Sequence, residues 1–185
     1  YAPQCWTSDD TDALERLKIQ YGTSMVYPVS SLGAHVSAAP NHQLLRNTPI
    51  ETRANVAYFG TFGYELDLNK LSMDEQIKVK EQITFMKDYR EIIQFGTFYR
   101  LKSPFEGNET VWMVVSQDQN TAIIGYYRTL QEVNVGYRRV KLLGLDPDKE
   151  YHVNLNNTVH YGDELMNLGL ITTDSSCGEN KEKYD

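Results

Sequence analysis

The sequence predicts two successive fold classes in a chain of 185 residues: an α/β region followed by an all-β region, with the change near Gly96. Before Gly96, well-signalled helix starts alternate with short apolar segments, which is typical of βα units and a parallel sheet. After Gly96, short segments rich in Tyr, Val and Ile follow one another with turn residues between them and no helical periodicity. That pattern indicates antiparallel strands.

Three helix starts in the α/β region carry the residue pattern of a capping box, an N-cap oxygen followed three residues later by Glu. These boxes are residues 12–15, 48–51 and 72–75, and in the second Pro49 takes the favoured first helical position. The first helix is expected to end at Gly22. The third box opens a long helix whose apolar face is formed by Ile77, Ile83, Met86 and Ile92 or Ile93.

Strand candidates fill the remaining apolar segments. In the α/β region they are residues 2–6, 25–27, 34–38 and 64–68. In the all-β region they are residues 97–101, 111–116, 121–128, 137–143 and 151–155. Turn residues bound each of these segments, as expected for short strands.

The charge distribution argues against two classes of partner. The formal net charge is -7, and the densest basic cluster is Arg138, Arg139 and Lys141. These residues alternate with Val140 and Leu142, as on the solvent face of a strand. Because nucleic-acid and anionic-membrane binding both need a basic surface, we expect neither a nucleic-acid nor a membrane partner.

The two cysteines, Cys5 and Cys177, lie far apart and have neither CxxC nor Cys/His metal spacing. We expect two free thiols in a reducing compartment, hence a cytoplasmic location. The sequence contains no GxGxxG, P-loop, HExxH or GxSxG motif. It therefore predicts no cofactor and no metal site.

The segment 6–12 is the most informative for chemistry, because it places Trp6 and three carboxylates where a strand meets the start of a helix. Catalytic residues of (β/α)8 barrels lie at such junctions, so Asp9 is a candidate general acid. Asp12 is interpreted as an N-cap. Asp10 is either a helix-dipole partner or a site residue. Trp6 is either a core residue or a platform for a sugar.

A second candidate segment runs from His35 to His42 and also joins a strand end to a helix. Its two histidines make a weak metal signal, and His35 is interpreted as a hydrogen-bonded strand residue. Asn41 and His42 are placed at the mouth of a polar pocket, as substrate-binding candidates. Glu65 and Asp67 alternate with apolar neighbours and are interpreted as structural polar groups.

Segment 1–22, with its Trp-Thr-Ser-Asp motif, resembles the stretch around the acid/base residue of microbial α-galactosidases (melibiases) of glycoside hydrolase family 36. The resemblance continues in order to about Leu170. Its further motifs are Gly33-Ala-His-Val-Ser-Ala, Pro40-Asn-His-Gln, Thr48-Pro-Ile-Glu-Thr-Arg, Gly63-Tyr-Glu-Leu-Asp-Leu, Phe95-Gly-Thr-Phe-Tyr-Arg-Leu, Ser103-Pro-Phe-Glu-Gly, Gly144-Leu-Asp-Pro and Gly162-Asp-Glu-Leu-Met.

This resemblance implies a domain organisation. Family members have a β-sandwich, a (β/α)8 catalytic barrel and a C-terminal β-domain. Residues 1–96 resemble the C-terminal part of the barrel, and residues 97–185 an incomplete C-terminal antiparallel β-sandwich domain. The chain is therefore expected to be cut at both ends.

The resemblance also implies an activity: retaining hydrolysis of terminal α-galactosyl residues of melibiose- or raffinose-type oligosaccharides, with Asp9 as acid/base and Trp6 at the sugar site. Relatives are often tetramers, so a homo-oligomer, a tetramer, is expected for the full-length enzyme. The family's nucleophile, in a Lys-Trp-Asp motif, and its galactose-binding loop are missing from this sequence. The chain is thus expected to supply the acid/base but not the nucleophile, and to be inactive alone.

Two alternatives stay open at this point. One is a non-catalytic sugar-binding or assembly module that uses the tyrosine-rich β-region, since the chain has 13 tyrosines. The other is a related α-galactosyltransferase of the raffinose-synthase type, or an enzyme specific for N-acetylgalactosamine. The residues that would distinguish these two enzyme types from an α-galactosidase lie outside this sequence.

Overall fold

The computed structural model of the chain describes residues 3–133 and 136–172. The chain divides into two compact units between Phe95 and Gly96. The first unit combines helices with parallel strands, and the strands of the second unit pair antiparallel. The predicted sequence of an α/β part and an antiparallel β part is confirmed at this level.

Over residues 3–95, the described part of the first unit, two strands pair in parallel and three α-helices are present. In chain order these elements are α1 (Ala13–Thr23), β1 (Gly33–Ser37), α2 (Ile50–Ala57), β2 (Thr61–Glu65) and α3 (Met73–Phe95). Gly33 lies opposite Thr61 and Ser37 opposite Glu65. A single parallel bridge between Cys5 and Leu32 sets a further extended segment beside the start of β1. Because the strands are parallel, their carboxyl ends share one edge of the sheet.

Strand β1 is held from the helical side at both ends. Ala34 and Val36 are fully buried. Two buried arginines bind the strand's terminal carbonyl oxygens: Arg16 of α1 donates to Gly33, and Arg53 of α2 donates to Ser37. These two hydrogen bonds anchor β1 to α1 at its first residue and to α2 at its last.

The capping-box predictions have different outcomes. The box at Ser72 is confirmed, because Ser72 Oγ accepts from the Glu75 amide at 3.2 Å and Glu75 Oε2 accepts from the Ser72 amide at 2.9 Å. The box at 48–51 is wrong. Pro49 is extended (ψ 148°) and is itself the N-cap residue, without a side-chain cap. The helix therefore begins one residue later than predicted, and Thr48 lies too far ahead of it to act as the cap.

Three predictions for the first unit differ from the structure. Residues 25–27 form an exposed turn after α1 rather than a strand. The strand predicted at 64–68 begins at Thr61. It starts there because the Thr61 amide donates to the Leu32 carbonyl, which places Thr61 opposite Gly33 at the start of β1, and it ends at Glu65. The buried residues of α3 are Val79, Gln82, Met86 and Ile93. Met86 and Ile93 are therefore buried as predicted, whereas Ile77 and Ile83 are not among the buried residues.

The described part of the second unit contains a three-stranded meander, two short strand pairs and one short helix. The meander is β3 (Thr97–Lys102), β4 (Glu109–Val115) and β5 (Ala122–Arg128). The strand pairs are β6 (Arg139–Val140) with β9 (Leu170–Ile171) and β7 (Glu150–Val153) with β8 (Thr158–Tyr161), and the helix is α4 (Gly162–Asn167). Elements β8, α4 and β9 are absent from the sequence-based prediction, because each is too short to show a clear period.

A hydrophobic core cluster of the second unit forms on one face of β4. Its members are Val111, Met113, Val115, Val140, Leu142, Leu145, Leu165 and Leu170. Val140 and Leu142 are buried while Arg139 and Lys141 are exposed, which confirms the predicted alternation. Cys5 is a free thiol, as predicted. Cys177 lies outside the described residues.

We expect Ser72→Ala to lower the free energy of unfolding by about 1 kcal/mol. The variant removes the N-cap hydroxyl, which accepts from the Glu75 amide in the capping box. Urea denaturation followed by circular dichroism measures the change. Ser72→Thr, which keeps the hydroxyl, is the matched control and should stay close to the parent protein. Equal losses in both variants would contradict the capping role.

Candidate active site

Three aspartates occupy the loop before α1, and the structure gives each a different role. Asp12 is the N-cap: its Oδ1 accepts from the amides of Leu14 at 3.0 Å and Glu15 at 3.2 Å. It is 2% exposed and forms an ion pair with Arg46. The interpretation of Asp12 as a cap is confirmed, and its carboxylate is committed to the helix.

Asp10 closes a local turn in this loop. Its Oδ1 accepts from the amide of Asp12 at 3.0 Å, and its own amide donates to Ser8 Oγ at 3.0 Å. In a complete capping box the Asp12 amide would donate to Glu15, so this box is only half formed. Asp10 therefore orders the loop backbone.

Asp9 is the loop aspartate that faces solvent. The indole Nε1–H of Trp6 donates to Asp9 Oδ1 at 3.0 Å. Trp6 is 51% exposed, so its interpretation as a core residue is wrong. The pair presents a carboxylate and an aromatic surface side by side at the carboxyl edge of the parallel segments.

Two side chains tie this loop to β1 and to the segment that follows it. Ser37 Oγ donates to the Thr11 carbonyl at 3.0 Å, and Asn41 Nδ2 donates to Thr11 Oγ1 at 3.3 Å. Asn41 is 4% exposed, and its Oδ1 accepts from the amides of Gln43 and Leu44. Its side chain thus holds two loops together, which differs from the predicted place at a pocket mouth.

His42, the next residue, is exposed. Its location beyond the carboxyl end of β1 leaves it accessible to a ligand. The structure therefore separates the two residues that the sequence analysis paired: Asn41 points inward to the loop, and His42 is open to solvent.

His35 has a role that sequence reasoning missed. Its ring packs against Trp6, with ring centroids 4.4 Å apart and ring planes inclined by 34°. Burial lowers the pKa of His35, Glu65 opposes that shift and Arg16 adds to it. The ring is therefore the neutral imidazole at pH 7. Period-two alternation along β1 could have placed His35 on the face opposite Ala34 and Val36, but not against Trp6.

A cleft of about 230 Å³ lies elsewhere on the first unit, between β2 and α3. Phe62, Tyr64, Ile83 and Met86 form its apolar walls, and Lys87 and Arg90 line it as well. None of the four predicted site residues lines this cleft. Its chemistry is that of a packing groove rather than of a site for proton transfer.

The loop geometry can support proton transfer at Asp9. Asp10 and Asp12 accept backbone amides, whereas Asp9 is exposed and held by one indole donor. An accessible, oriented carboxyl can protonate one oxygen and deprotonate another in turn. Over residues 3–133 and 136–172, no group of three or more His, Cys, Asp or Glu side chains is arranged to hold a metal ion.

Comparison with known proteins identifies the family. The family model described as Melibiase matches residues 1–96, just over half of the chain. The chain belongs to the melibiase family. The family model for the glycosyl hydrolase family 36 C-terminal domain matches residues 109–182. The resemblance stated from the sequence motifs is therefore confirmed.

Curated members of the melibiase family resemble almost all of the chain. Alpha-galactosidase AgaA of Geobacillus stearothermophilus is 54% identical over 170 residues, which is 92% of this chain and 23% of that protein. Alpha-galactosidase Mel36A of Lactobacillus acidophilus is 49% identical over the same shares. The chain thus spans about a quarter of the length of these melibiase relatives.

Solved melibiase-family structures share the fold. AgaB of Geobacillus stearothermophilus matches 93% of this chain with a TM-score of 0.90 and 53% identity, and the match covers 24% of that chain. An AgaA variant in complex with raffinose matches 94% with a TM-score of 0.90 and 52% identity, again over 24% of its chain. No helix in the described ranges is both long and apolar enough to cross a membrane.

Proposed function

We propose that this chain supplies the acid/base carboxylate of a retaining α-galactosidase, and that the carboxylate is Asp9. The observation that carries the proposal is the Trp6–Asp9 hydrogen bond of 3.0 Å, which orients an exposed carboxylate within the segment that the melibiase model matches. Named relatives with this family match are α-galactosidases.

In the proposed mechanism two carboxyl groups act on opposite sides of the anomeric carbon, about 5–5.5 Å apart. One attacks that carbon and forms a covalent glycosyl–enzyme ester. Asp9, protonated at the start, gives its proton to the departing glycosidic oxygen. It then takes a proton from the water that hydrolyses the ester and returns to its starting state. The attacking carboxylate belongs to a part of the polypeptide outside this chain.

The proposal assigns the domains as well. Residues 1–96 are the C-terminal part of a (β/α)8 barrel, and the region from residue 97 belongs to the C-terminal β-domain. Support for the barrel comes from the parallel pairing of β1 with β2, the parallel bridge at Cys5 and the helix after each strand. Asp9 then lies at the barrel face where catalytic groups occur.

The proposed substrates are melibiose- and raffinose-type α-galactosides. Solved relatives include AgaA variants in complex with raffinose and with stachyose. Trp6 offers half of its surface as a platform for a sugar ring, and exposed His42 offers a hydrogen-bonding group at the same edge. Asn41 contributes through its hydrogen bonds to the loops that carry Trp6 and His42.

A chimaeric enzyme tests this proposal. The AgaA segment that aligns with this chain over 170 residues is replaced by the aligned residues of this chain. AgaA then supplies the rest of the barrel. We expect the chimaera to release the phenol from an aryl α-galactoside and the 185-residue chain alone to release none. Turnover by the isolated chain, or an inactive but folded chimaera, would contradict the proposal.

Product analysis with raffinose distinguishes the reaction types. Hydrolysis yields galactose and sucrose, whereas galactosyl transfer yields a longer oligosaccharide. We expect galactose and sucrose as the main products.

A further inference from the structure

His35, Trp6 and Asp9 form a line of contacts from the middle of β1 to the exposed loop. The imidazole packs on the indole, and the indole N–H bonds to the carboxylate. We propose that His35 is a positioning residue, which holds the indole so that its N–H stays on Asp9. This inference rests on the proposed function, because it assumes that Asp9 is the acid/base.

Trp6 needs such a support because the segment around it is weakly held. One parallel bridge, at Cys5, joins this segment to the sheet. Trp6 itself is 51% exposed, so about half of its surface receives no packing from the described residues. An indole donates along its ring plane, so the direction of the bond to Asp9 depends on the tilt of that plane. A contact on the face of the ring fixes this tilt.

His35 is suited to this task because its own backbone is fixed. Arg16 binds the Gly33 carbonyl at one end of β1, and Arg53 binds the Ser37 carbonyl at the other. Both arginines are buried. The position of the imidazole is therefore set by a strand that is anchored at both ends. The contact with the imidazole in turn restricts the orientation of the Trp6 ring.

Two glycines provide the space for the imidazole. Gly63 lies opposite His35 in the sheet, and a Cβ there would lie 3.3 Å from His35 Cδ2. Gly33 lies two residues earlier on the same strand, and a Cβ there would lie 3.1 Å from Gln4 Nε2, 3.2 Å from the Cys5 carbonyl oxygen and 3.3 Å from His35 Cε1. A distance of 3.3 Å is shorter than an ordinary van der Waals contact, so a side chain at either position would shift its neighbours, the imidazole among them, by a few tenths of an ångström.

The environment of His35 keeps its imidazole neutral. Burial lowers the pKa of His35, and the charges of Glu65 and Arg16 act on it in opposite directions. A neutral imidazole leaves Asp9 with the indole as its donor, whereas an imidazolium would attract the carboxylate towards itself. The contact between His35 and Trp6 is thus van der Waals packing and not an interaction between charges.

The test uses the 15N-labelled 185-residue chain, which has two indole N–H signals because it has two tryptophans. Trp6→Phe identifies the Trp6 signal, and Asp9→Ala gives its position without the side-chain acceptor. We expect His35→Ala to move the Trp6 signal most of the way to the Asp9→Ala position and to speed hydrogen exchange of this N–H. His35→Phe, which keeps an aromatic ring, should restore the parental position.

His42→Ala is the matched control, because His42 lies in the same region but is exposed. It should leave the Trp6 signal unchanged. Gly63→Ala keeps His35 and crowds its ring, so it should move the signal in the same direction as His35→Ala. A Trp6 signal that stays at the parental position in folded His35→Ala, or that His35→Phe does not restore, overturns the inference.

A kinetic measurement separates this inference from the proposed function. In the chimaera, His35→Ala should lower kcat by up to about 100-fold and change KM much less, because a displaced acid/base group slows chemistry more than binding. An unchanged kcat contradicts the inference. A chimaera that is inactive with His35 in place contradicts the proposed function, while the indole signal still decides whether His35 holds Trp6.

Discussion

Asp9→Asn in the chimaeric enzyme is expected to lower kcat/KM for raffinose by about 100- to 10,000-fold, the range that general acid–base catalysis contributes. The amide keeps the size of the side chain and can still accept the indole N–H of Trp6. It cannot give a proton to the glycosidic oxygen or take one from water. The loss is measured by steady-state kinetics with raffinose as substrate.

The leaving group makes this prediction more specific. An activated phenol departs without a proton, so the first step of Asp9→Asn should be nearly normal with an aryl galactoside of low phenol pKa. A burst of phenol followed by slow turnover is expected, because water still has to be deprotonated in the second step.

Asp10→Asn is the matched control for Asp9→Asn. The Asp10 Oδ1 accepts a backbone amide, and an asparagine oxygen can replace it in this role. The control should therefore keep most of the activity. Equal losses in the two variants would mean that the loop, and not a proton at Asp9, explains the effect.

Glu109→Gln is expected to lower the free energy of unfolding by about 3–5 kcal/mol, the cost of removing one partner from a buried charge network. Glu109 is 7% exposed and faces the cations of Lys102, Arg128 and Arg138. Tyr126 Oη also donates to it, at 2.6 Å. Without the carboxylate these cations crowd together with no buried counter-charge. Urea denaturation followed by Trp112 fluorescence reports the loss in this unit.

The matched control is Glu132→Gln. Glu132 pairs with the same Arg138, but its side chain is 48% exposed. Surface pairs contribute less than about 1 kcal/mol, so this variant should be close to the parent protein. A Glu109→Gln variant as stable as Glu132→Gln would show that the buried network adds little.

The pH dependence of stability follows from the same network. Burial opposes ionisation of Glu109, but hydrogen bonds from Lys102, Tyr126 and Arg138 outweigh it and lower the pKa to about 2. Because the folded-state pKa lies below the ordinary glutamate value of 4.5, this stabilisation is present above pH 4.5. It is lost as pH falls from 4.5 towards 2, and Glu109→Gln should lack that part of the acid dependence.

Local signals in the sequence predicted the fold class and several helix starts correctly. Ser72 and Asp12 cap their helices because capping depends on residues within one turn of each other. The failures are also local. Pro49 adopts an extended ψ, which moves the helix start, and the apolar run at 25–27 continues α1 into a turn. Patterns of hydrophobicity do not report such backbone angles.

Assigning roles to the three loop aspartates required the tertiary structure. All three precede a helix and look alike in sequence. Their roles differ because Arg46, 34 residues away, pairs with Asp12, whereas Trp6 reaches Asp9. Asn41 looks like a pocket residue in sequence, yet it is buried because Thr11 lies beside it in the fold.

The sequence by itself determined the family, the change from α/β to β structure and the candidate Asp9, because these depend on motifs and on short-range periodicity. Only the tertiary structure shows which groups contact the candidate. The packing of His35 on Trp6 and the gathering of three cations around Glu109 join residues that are distant in the chain. Such contacts depend on strand register and on packing between elements, which no local pattern of residues encodes.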